Sequence, residues 1–213
     1  MSADGAGTAS TGGLARIVVL ISGSGTNLQS LLDACSDGGL PAEIVAVGAD
    51  RVTAAGLSRA NDVGIPTFVV SPGAFANREH WDQALAEQIA SYQPTWVVSA
   101  GFMRILGAAV LTAFPNRIIN THPALLPSFP GSHAVADALT YGVKVTGCTV
   151  HVVDQGVDTG PVLAQQGVTV EPGDTEESLH ERIKSVEHQL LVQVVGQLCR
   201  HEVQVVGREV ILT

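Results

Sequence analysis

The strongest constraint on the fold is Arg16-Ile17-Val18-Val19-Leu20-Ile21, followed directly by Ser22-Gly23-Ser24-Gly25-Thr26-Asn27. A near-continuous β-branched run of this kind reads as a strand buried on both faces, the habit of parallel sheets. The glycine-rich stretch turns that strand into a helix carrying Leu28, Leu31 and Leu32. Glycines let the backbone come close to a ligand, and a helix N-terminus offers free N–H groups and positive potential. In an open α/β sheet this is where phosphates bind. Gly23 and Gly25 fit G-x-G, but Leu28 occupies the third glycine position of a dinucleotide fingerprint, and no Gly-Lys-Ser/Thr follows as in a P-loop. The residues suit a monophosphate. A tight turn with a Thr or Asn cap is the competing reading.

The alternation continues. Glu43 to Ala49 reads as a strand, Thr53 to Val63 as a helix and Thr67 to Val70 as a short strand. Arg78 to Tyr92 is helical, with Trp81, Leu85 and Ile89 at a spacing of four; Thr95 to Ser99 is a strand, Arg104 to Phe114 a helix, and 117–120 a strand. This order predicts an α/β fold of Rossmann-like type, a mostly parallel central sheet with helices on both faces. The pattern then changes to two longer strands, Cys148 to Val153 and Val162 to Val170, an antiparallel C-terminal part. Asp174-Thr175-Glu176-Glu177 reads as a capping box, with Asp174 as the cap of a helix striped by Leu179, Ile183, Val186, Leu190, Val194 and Leu198. Glu202 to Val206 and Glu209 to Leu212 form a terminal hairpin around Gly207. No internal repeat or long linker divides the chain, so residues 14–213 read as one domain behind a disordered tail, 1–13, of Gly, Ala, Ser and Thr.

Composition excludes some function classes. The net charge is −9, with only 11 Lys and Arg and no basic run, so no nucleic-acid partner is expected. A small anionic ligand remains compatible. No secretory signal and no apolar stretch of membrane-spanning length occur. Cys35, Cys148 and Cys199 form no CxxC pair and read as reduced, buried thiols of a cytoplasmic protein. No HxxxH or Cys/His pair suggests a metal.

The chemistry concentrates in Asn120-Thr121-His122-Pro123-Ala124-Leu125-Leu126-Pro127. Side chains two apart on a strand share a face, so Asn120 and His122 project together where the 117–120 strand stops. Pro123 biases His122 toward an extended conformation. An amide donor and a titratable ring aimed at one point hold a developing oxyanion and move a proton; a strand end with two polar residues is the bland alternative. Asp154-Gln155-Gly156-Val157-Asp158-Thr159-Gly160-Pro161 joins the two long strands. Ordinary turn chemistry accounts for both acids. Placed beside His122, Asp158 would favour the protonated ring and raise its pKa. Of the other histidines, His151 reads as a satisfied core residue, His133 as a turn residue near the motif, and His80, His180, His188 and His201 as surface.

Together these segments resemble the folate-dependent phosphoribosylglycinamide formyltransferases. The resemblance runs from about residue 16 to about residue 200 and rests on the 17–29 segment, Ala100-Gly101-Phe102-Met103-Arg104-Ile105-Leu106, Asn120 to Gly131, Asp158-Thr159-Gly160-Pro161 and Glu187-His188. It implies transfer of formyl from 10-formyltetrahydrofolate, a co-substrate, to the amine of 5-phosphoribosylglycinamide (GAR) in purine synthesis, with no metal. It implies catalytic roles for Asn120, His122 and Asp158. Gly25, Thr26 and Asn27 would hold the GAR phosphate, and Glu187, assisted by Lys184, the ribose. Met103, Arg104, Ile105 and Leu106 would line the pterin pocket, with Asn120 beside them and the 154–158 loop, from Asp154 to Asp158, closing over the ring. Arg78 would sit near the folate tail. The resemblance further implies a cis Leu126–Pro127 bond, and a homodimer is compatible with it, the apolar residues from Trp96 to Leu111 being the face on offer.

Two relatives of the same fold share the triad. A methionyl-tRNA formyltransferase needs a second, basic domain, for which the chain has neither length nor charge. A formyltetrahydrofolate deformylase normally carries an N-terminal regulatory domain, for which a first strand at Arg16 leaves no room. The deformylase is the alternative enzyme, and a non-catalytic nucleotide-binding module using only the glycine-rich loop is the alternative outside enzymes.

Overall fold

The computed structural model describes residues 13–213; the tail expected to be disordered falls, up to residue 12, outside them. A seven-stranded sheet forms the centre. Its strands are β1 (Ala15–Ile21), β2 (Ala42–Ala49), β3 (Thr67–Val69), β4 (Trp96–Ser99), β5 (Ile118–His122), β6 (Val145–Val152) and β7 (Val162–Thr169), in the order β3-β2-β1-β4-β5-β6-β7. The first five are parallel, and β6 and β7 add antiparallel. The helices are α1 (Thr26–Ser36), α2 (Gly56–Asp62), α3 (Arg78–Ala90), α4 (Ala108–Ala113), α5 (Ala134–Tyr141) and α6 (Glu176–Arg200). The terminal hairpin pairs β8 (Val203–Val206) with β9 (Glu209–Leu212), as read from the sequence.

The β1 run behaves as its composition requires. Ile17, Val19 and Ile21 pack with α1 and α6 residues on one face, and Val18 and Leu20 with α3 residues such as Leu85 and Ile89 on the other. All five are fully buried. From β1 the chain builds outward to β2 and β3, then returns to β4 on the other side and continues to β5. The reversal falls between β1 and β4, the position where an open α/β sheet leaves a crevice beyond its strand ends. Ser22, just after β1, and Gly101, following β4, face each other there, joined by the Ser22 N–H donating to the Gly101 carbonyl at 3.1 Å.

Several elements differ from expectation. The 104–114 helix is shortened to α4, because Asp82, a buried residue of α3, captures the backbone N–H groups of Gly107 (2.6 Å), Ala109 (2.8 Å) and Val110 (3.4 Å) and fixes the helix start. Residues 103–107 are thereby left as an irregular segment. α2 begins at Gly56 rather than Thr53. The strand expected over 117–120 runs on through His122. The cap of α6 is Thr175, not Asp174: Thr175 and Ser178 exchange hydrogen bonds of 3.1 and 3.0 Å, and Asp174 instead pairs with Arg182, which holds its carboxyl well below the usual range. α5 was unassigned in the sequence; Gly142, at φ 81, is its left-handed stop. Trp96, Val97 and Val98 lie in the middle of the sheet, fully buried, so the large apolar side chains that this stretch exposes are Met103 and Ile105.

Removing the Asp82 carboxylate strands one buried and two part-buried N–H donors. Asp82→Ala is expected to lower the urea unfolding free energy by at least about 2 kcal/mol; an unchanged midpoint and slope would show that the cap contributes nothing.

Candidate active site

Two loops and one strand end meet at the crevice. After β1, Gly25 takes φ 70, a left-handed conformation, and starts α1. A Cβ there would lie 2.8 Å from the Gly56 Cα, so glycine is required both for the turn and for the close approach of α2. Arg59 of α2 secures the loop, donating to the Ser24 carbonyl at 2.8 Å and to the Gln29 side chain at 2.9 Å. The first N–H groups of α1 are left free to meet an anion.

After β4, the segment Met103 to Leu106 spans the crevice with Met103 and Ile105 exposed and Leu106 buried. Its first three residues are tied from outside. Met103 N–H donates to Ser22 Oγ at 2.8 Å, Arg104 Nε to Asp50 Oδ2 at 2.7 Å, and Arg78 Nη2 to the Ile105 carbonyl at 2.8 Å. Asp50 is buried at the end of β2; burial pushes its pKa up, but bonds from Arg51, Arg104 and Ser22 outweigh it and bring the value down to about 2. Its charge therefore persists and pins Arg104. The pterin-pocket residues expected from the sequence thus form one strapped segment, and Arg78 is part of the strap.

β5 carries Asn120 and His122 on one face and Thr121 on the other. His122 is buried, and its Nδ1 lies 3.3 Å from Asp158 Oδ2. The expected contact across the 154–161 loop is present. His122 Nε2 donates to the Phe129 carbonyl at 2.7 Å, so the ring satisfies both acceptors only with a proton on each nitrogen. Asp158, at φ 54, also accepts the Gly131 N–H at 2.8 Å. Its pKa is lowered to about 2, first by His151, which in its protonated form points an Nε2–H at Oδ1 from 3.6 Å, then by the Gly131 N–H and the charge of His122, against the opposing effect of burial. Asp154 acts within the loop, accepting from Gly156 N–H (3.0 Å) and Thr159 Oγ1 (2.7 Å).

His151 was read as core. It is buried, but antiparallel pairing sets it opposite Asn120, and its Nε2 lies 3.3 Å from Asn120 Nδ2 and 3.6 Å from Asp158 Oδ1. No single segment carries that information; only the β5–β6 register does. On the other face, Glu187 of α6 is buried and its Oε1 accepts from Asn27 Nδ2 (2.6 Å) and Thr121 Oγ1 (2.5 Å). The sequence-predicted pair Asn27 and Glu187 is brought together, with Thr121 a residue not foreseen. Lys184 is not drawn in: its Nζ donates to Glu181 at 2.5 Å. His133, His80 and His201 are exposed, whereas His180 and His188 are half-buried rather than surface residues.

Beside Asp158 a cavity of about 360 Å³ is lined by Leu126, Pro130, Val157, Val162 and Arg208. Arg208, in the β8–β9 turn, donates to the Thr159 carbonyl at 2.9 Å and ties the terminal hairpin to the 154–161 loop. Leu126–Pro127 is cis, as the resemblance implied. The three cysteines are free; burial raises all three thiols, Cys148 and Cys199 to about 12. Among the described residues there is no cluster of metal-ligating side chains and no helix long and apolar enough to cross a membrane.

A strand end with amide, imidazole and ionised carboxylate, at a switch-point crevice between a phosphate-type loop and an apolar segment, defines a class of group-transfer site. The formyl transferase family model matches residues 15–195, and the chain belongs to that family. It is 57% identical over 194 residues to the phosphoribosylglycinamide formyltransferase of Mycobacterium tuberculosis, covering 91% of this chain and 89% of that protein. The Escherichia coli K12 protein of the same name is 41% identical over 191 residues, covering 87% and 90%. The crystal structure of glycinamide ribonucleotide transformylase 1 from Symbiobacterium toebii superposes with a TM-score of 0.92 at 44% identity over 99% of each chain.

Proposed function

We infer that the chain transfers a formyl group from 10-formyltetrahydrofolate to the amine of 5-phosphoribosylglycinamide, a step of purine biosynthesis. The observation that carries this reading is the Asn120–His122–Asp158 constellation, standing between a loop suited to a phosphate and a segment suited to a flat ring. In this reading Gly25, Thr26 and Asn27 hold the GAR phosphate on the α1 N-terminus, and Glu187 accepts from the ribose hydroxyls in place of its present partners. Lys184 swings from Glu181 to assist. Met103 to Leu106 present backbone groups to the pterin edge, the 154–158 loop covers it, and Arg78 offers its remaining donors to the carboxylates of the folate tail.

The amine nitrogen attacks the formyl carbon and the carbonyl becomes an oxyanion. Asn120 Nδ2 and His122 donate to that oxygen, His122 exchanging the Phe129 carbonyl for it. Collapse breaks the bond from carbon to the folate N10. His122 delivers the proton that leaves on N10 and recovers one released by the attacking nitrogen, and Asp158 holds the ring in place and favours its imidazolium form before and after the transfer. A preorganised donor contributes about 10²–10³-fold and a positioned acid–base about 10²–10⁴-fold.

The test is an absorbance assay of tetrahydrofolate formation. Product should require GAR and match it one to one. Formate released at the same rate without GAR would replace this reading with the deformylase. The phosphate assignment has its own check: Gly25→Ala forces a side chain into a left-handed turn, and KM for GAR is expected to rise about tenfold with kcat within about threefold. A KM for GAR equal to wild type would move the phosphate elsewhere.

A further inference from the structure

The role of His151 follows from its hydrogen-bond geometry. Its Nδ1 lies 3.0 Å from the Val152 carbonyl, which can only accept, so Nδ1 carries a proton. In the neutral ring Nε2 is then a lone-pair acceptor. It lies 3.3 Å from Asn120 Nδ2 and receives one of the two amide hydrogens. That contact decides which way the Asn120 amide faces. Without an acceptor at this point the amide can rotate by half a turn and present Oδ1, an acceptor, where a donor is needed. With it, Nδ2 stays in place and its second hydrogen is directed to the reacting oxygen. Asp158, 3.6 Å from the same Nε2, and His122 beyond it are the titratable groups that face the ring.

We propose that His151 is a positioning residue that fixes the donor orientation of the Asn120 amide through an Nδ1–H tautomer. It touches neither substrate. Its side-chain bond is to Asn120; with Nε2 bare it offers no hydrogen to Asp158 Oδ1, 3.6 Å away. The proposal rests on the formyl-transfer reading, whose own test is wild-type turnover; the tests below compare His151 states and keep their meaning if the formyl acceptor is a different amine or water.

Two measurements bear on it. Long-range ¹H–¹⁵N spectra of the folded protein at neutral pH should show His151 protonated at Nδ1 and bare at Nε2; a ring protonated only at Nε2 overturns the proposal without any assay. In kinetics, His151→Leu removes the acceptor, and His151→Gln restores one, since a glutamine Oε1 reaches the Nε2 position. His151→Leu is expected to lower kcat about 10–100-fold, less than loss of the donor itself, with both KM values within about threefold. His151→Gln should recover at least about half of that loss on a logarithmic scale. A His151→Leu enzyme with wild-type kcat overturns the proposal. So does a glutamine variant as folded as wild type by circular dichroism but as slow as the leucine one.

Discussion

Replacing His122 by alanine is expected to lower kcat by about three orders of magnitude, within the 10²–10⁴ span of a positioned acid–base. The ring is buried against Asp158 and the Phe129 carbonyl, two acceptors that together require a proton on each nitrogen. It is therefore the group at the strand end built to give a proton to a developing oxyanion, and alanine leaves nothing in its place. Binding of either substrate does not depend on the ring in the proposed arrangement, so the KM values should stay within about threefold. The fold should survive, because Asp158 keeps the Gly131 N–H as a partner. Steady-state kinetics with a thermal unfolding control checks this. Wild-type turnover in the variant would remove proton transfer by His122 from the mechanism. A lost kcat with intact melting and KM places the defect in the chemical step.

Much of the architecture was legible because it is local. The β1 run, buried on both faces, is a property of six consecutive residues, and the loop after it has glycines where a turn and a close approach require them. Asn120 and His122 share a face by the two-residue period of a strand alone. What was misread depends on partners far along the chain. Residues 104–107 have helical composition, but Asp82 and Arg78 take their backbone groups and hold them out of the helix. Thr121 looks like a spacer until α6 brings Glu187 beneath it. His151 has an apolar strand on both sides and matters only through the register Asn120↔His151. α5 did carry a local signal, Ala134, Val135 and Ala138 on one face ahead of Gly142, which its eight residues made easy to pass over. The Asp158 contact to His122, by contrast, was inferred from resemblance, and the geometry supplies it at 3.3 Å.

Asp158→Asn is expected to lower kcat by about 10²–10³-fold and at the same time to flatten the acid limb of stability. The two effects have one cause. In the folded protein the carboxyl titrates at about 2, below its ordinary 3.8, because His151, the Gly131 N–H and the His122 charge favour the anion. A depressed folded pKa stabilises the native state above the unfolded value and is lost as pH falls toward the folded one. The window is therefore from about pH 4 down to about pH 2, and with the side chain only 13% exposed the contribution is on the order of 2 kcal/mol. Asparagine can still accept the Nδ1–H through Oδ1, but it carries no charge to favour the imidazolium, so the neutral ring gains. Urea unfolding of wild type and variant at pH 7 and pH 3 should show a smaller pH difference for the variant. Across pH 5 to 9 the carboxyl of the wild type is already ionised, so any change in rate there belongs to another group. A variant with wild-type rate would separate Asp158 from catalysis, and an unchanged acid limb would separate it from stability. Combined with His122→Ala, the second substitution should add little, since a carboxylate that works by holding an imidazolium has nothing to hold once the imidazole is gone.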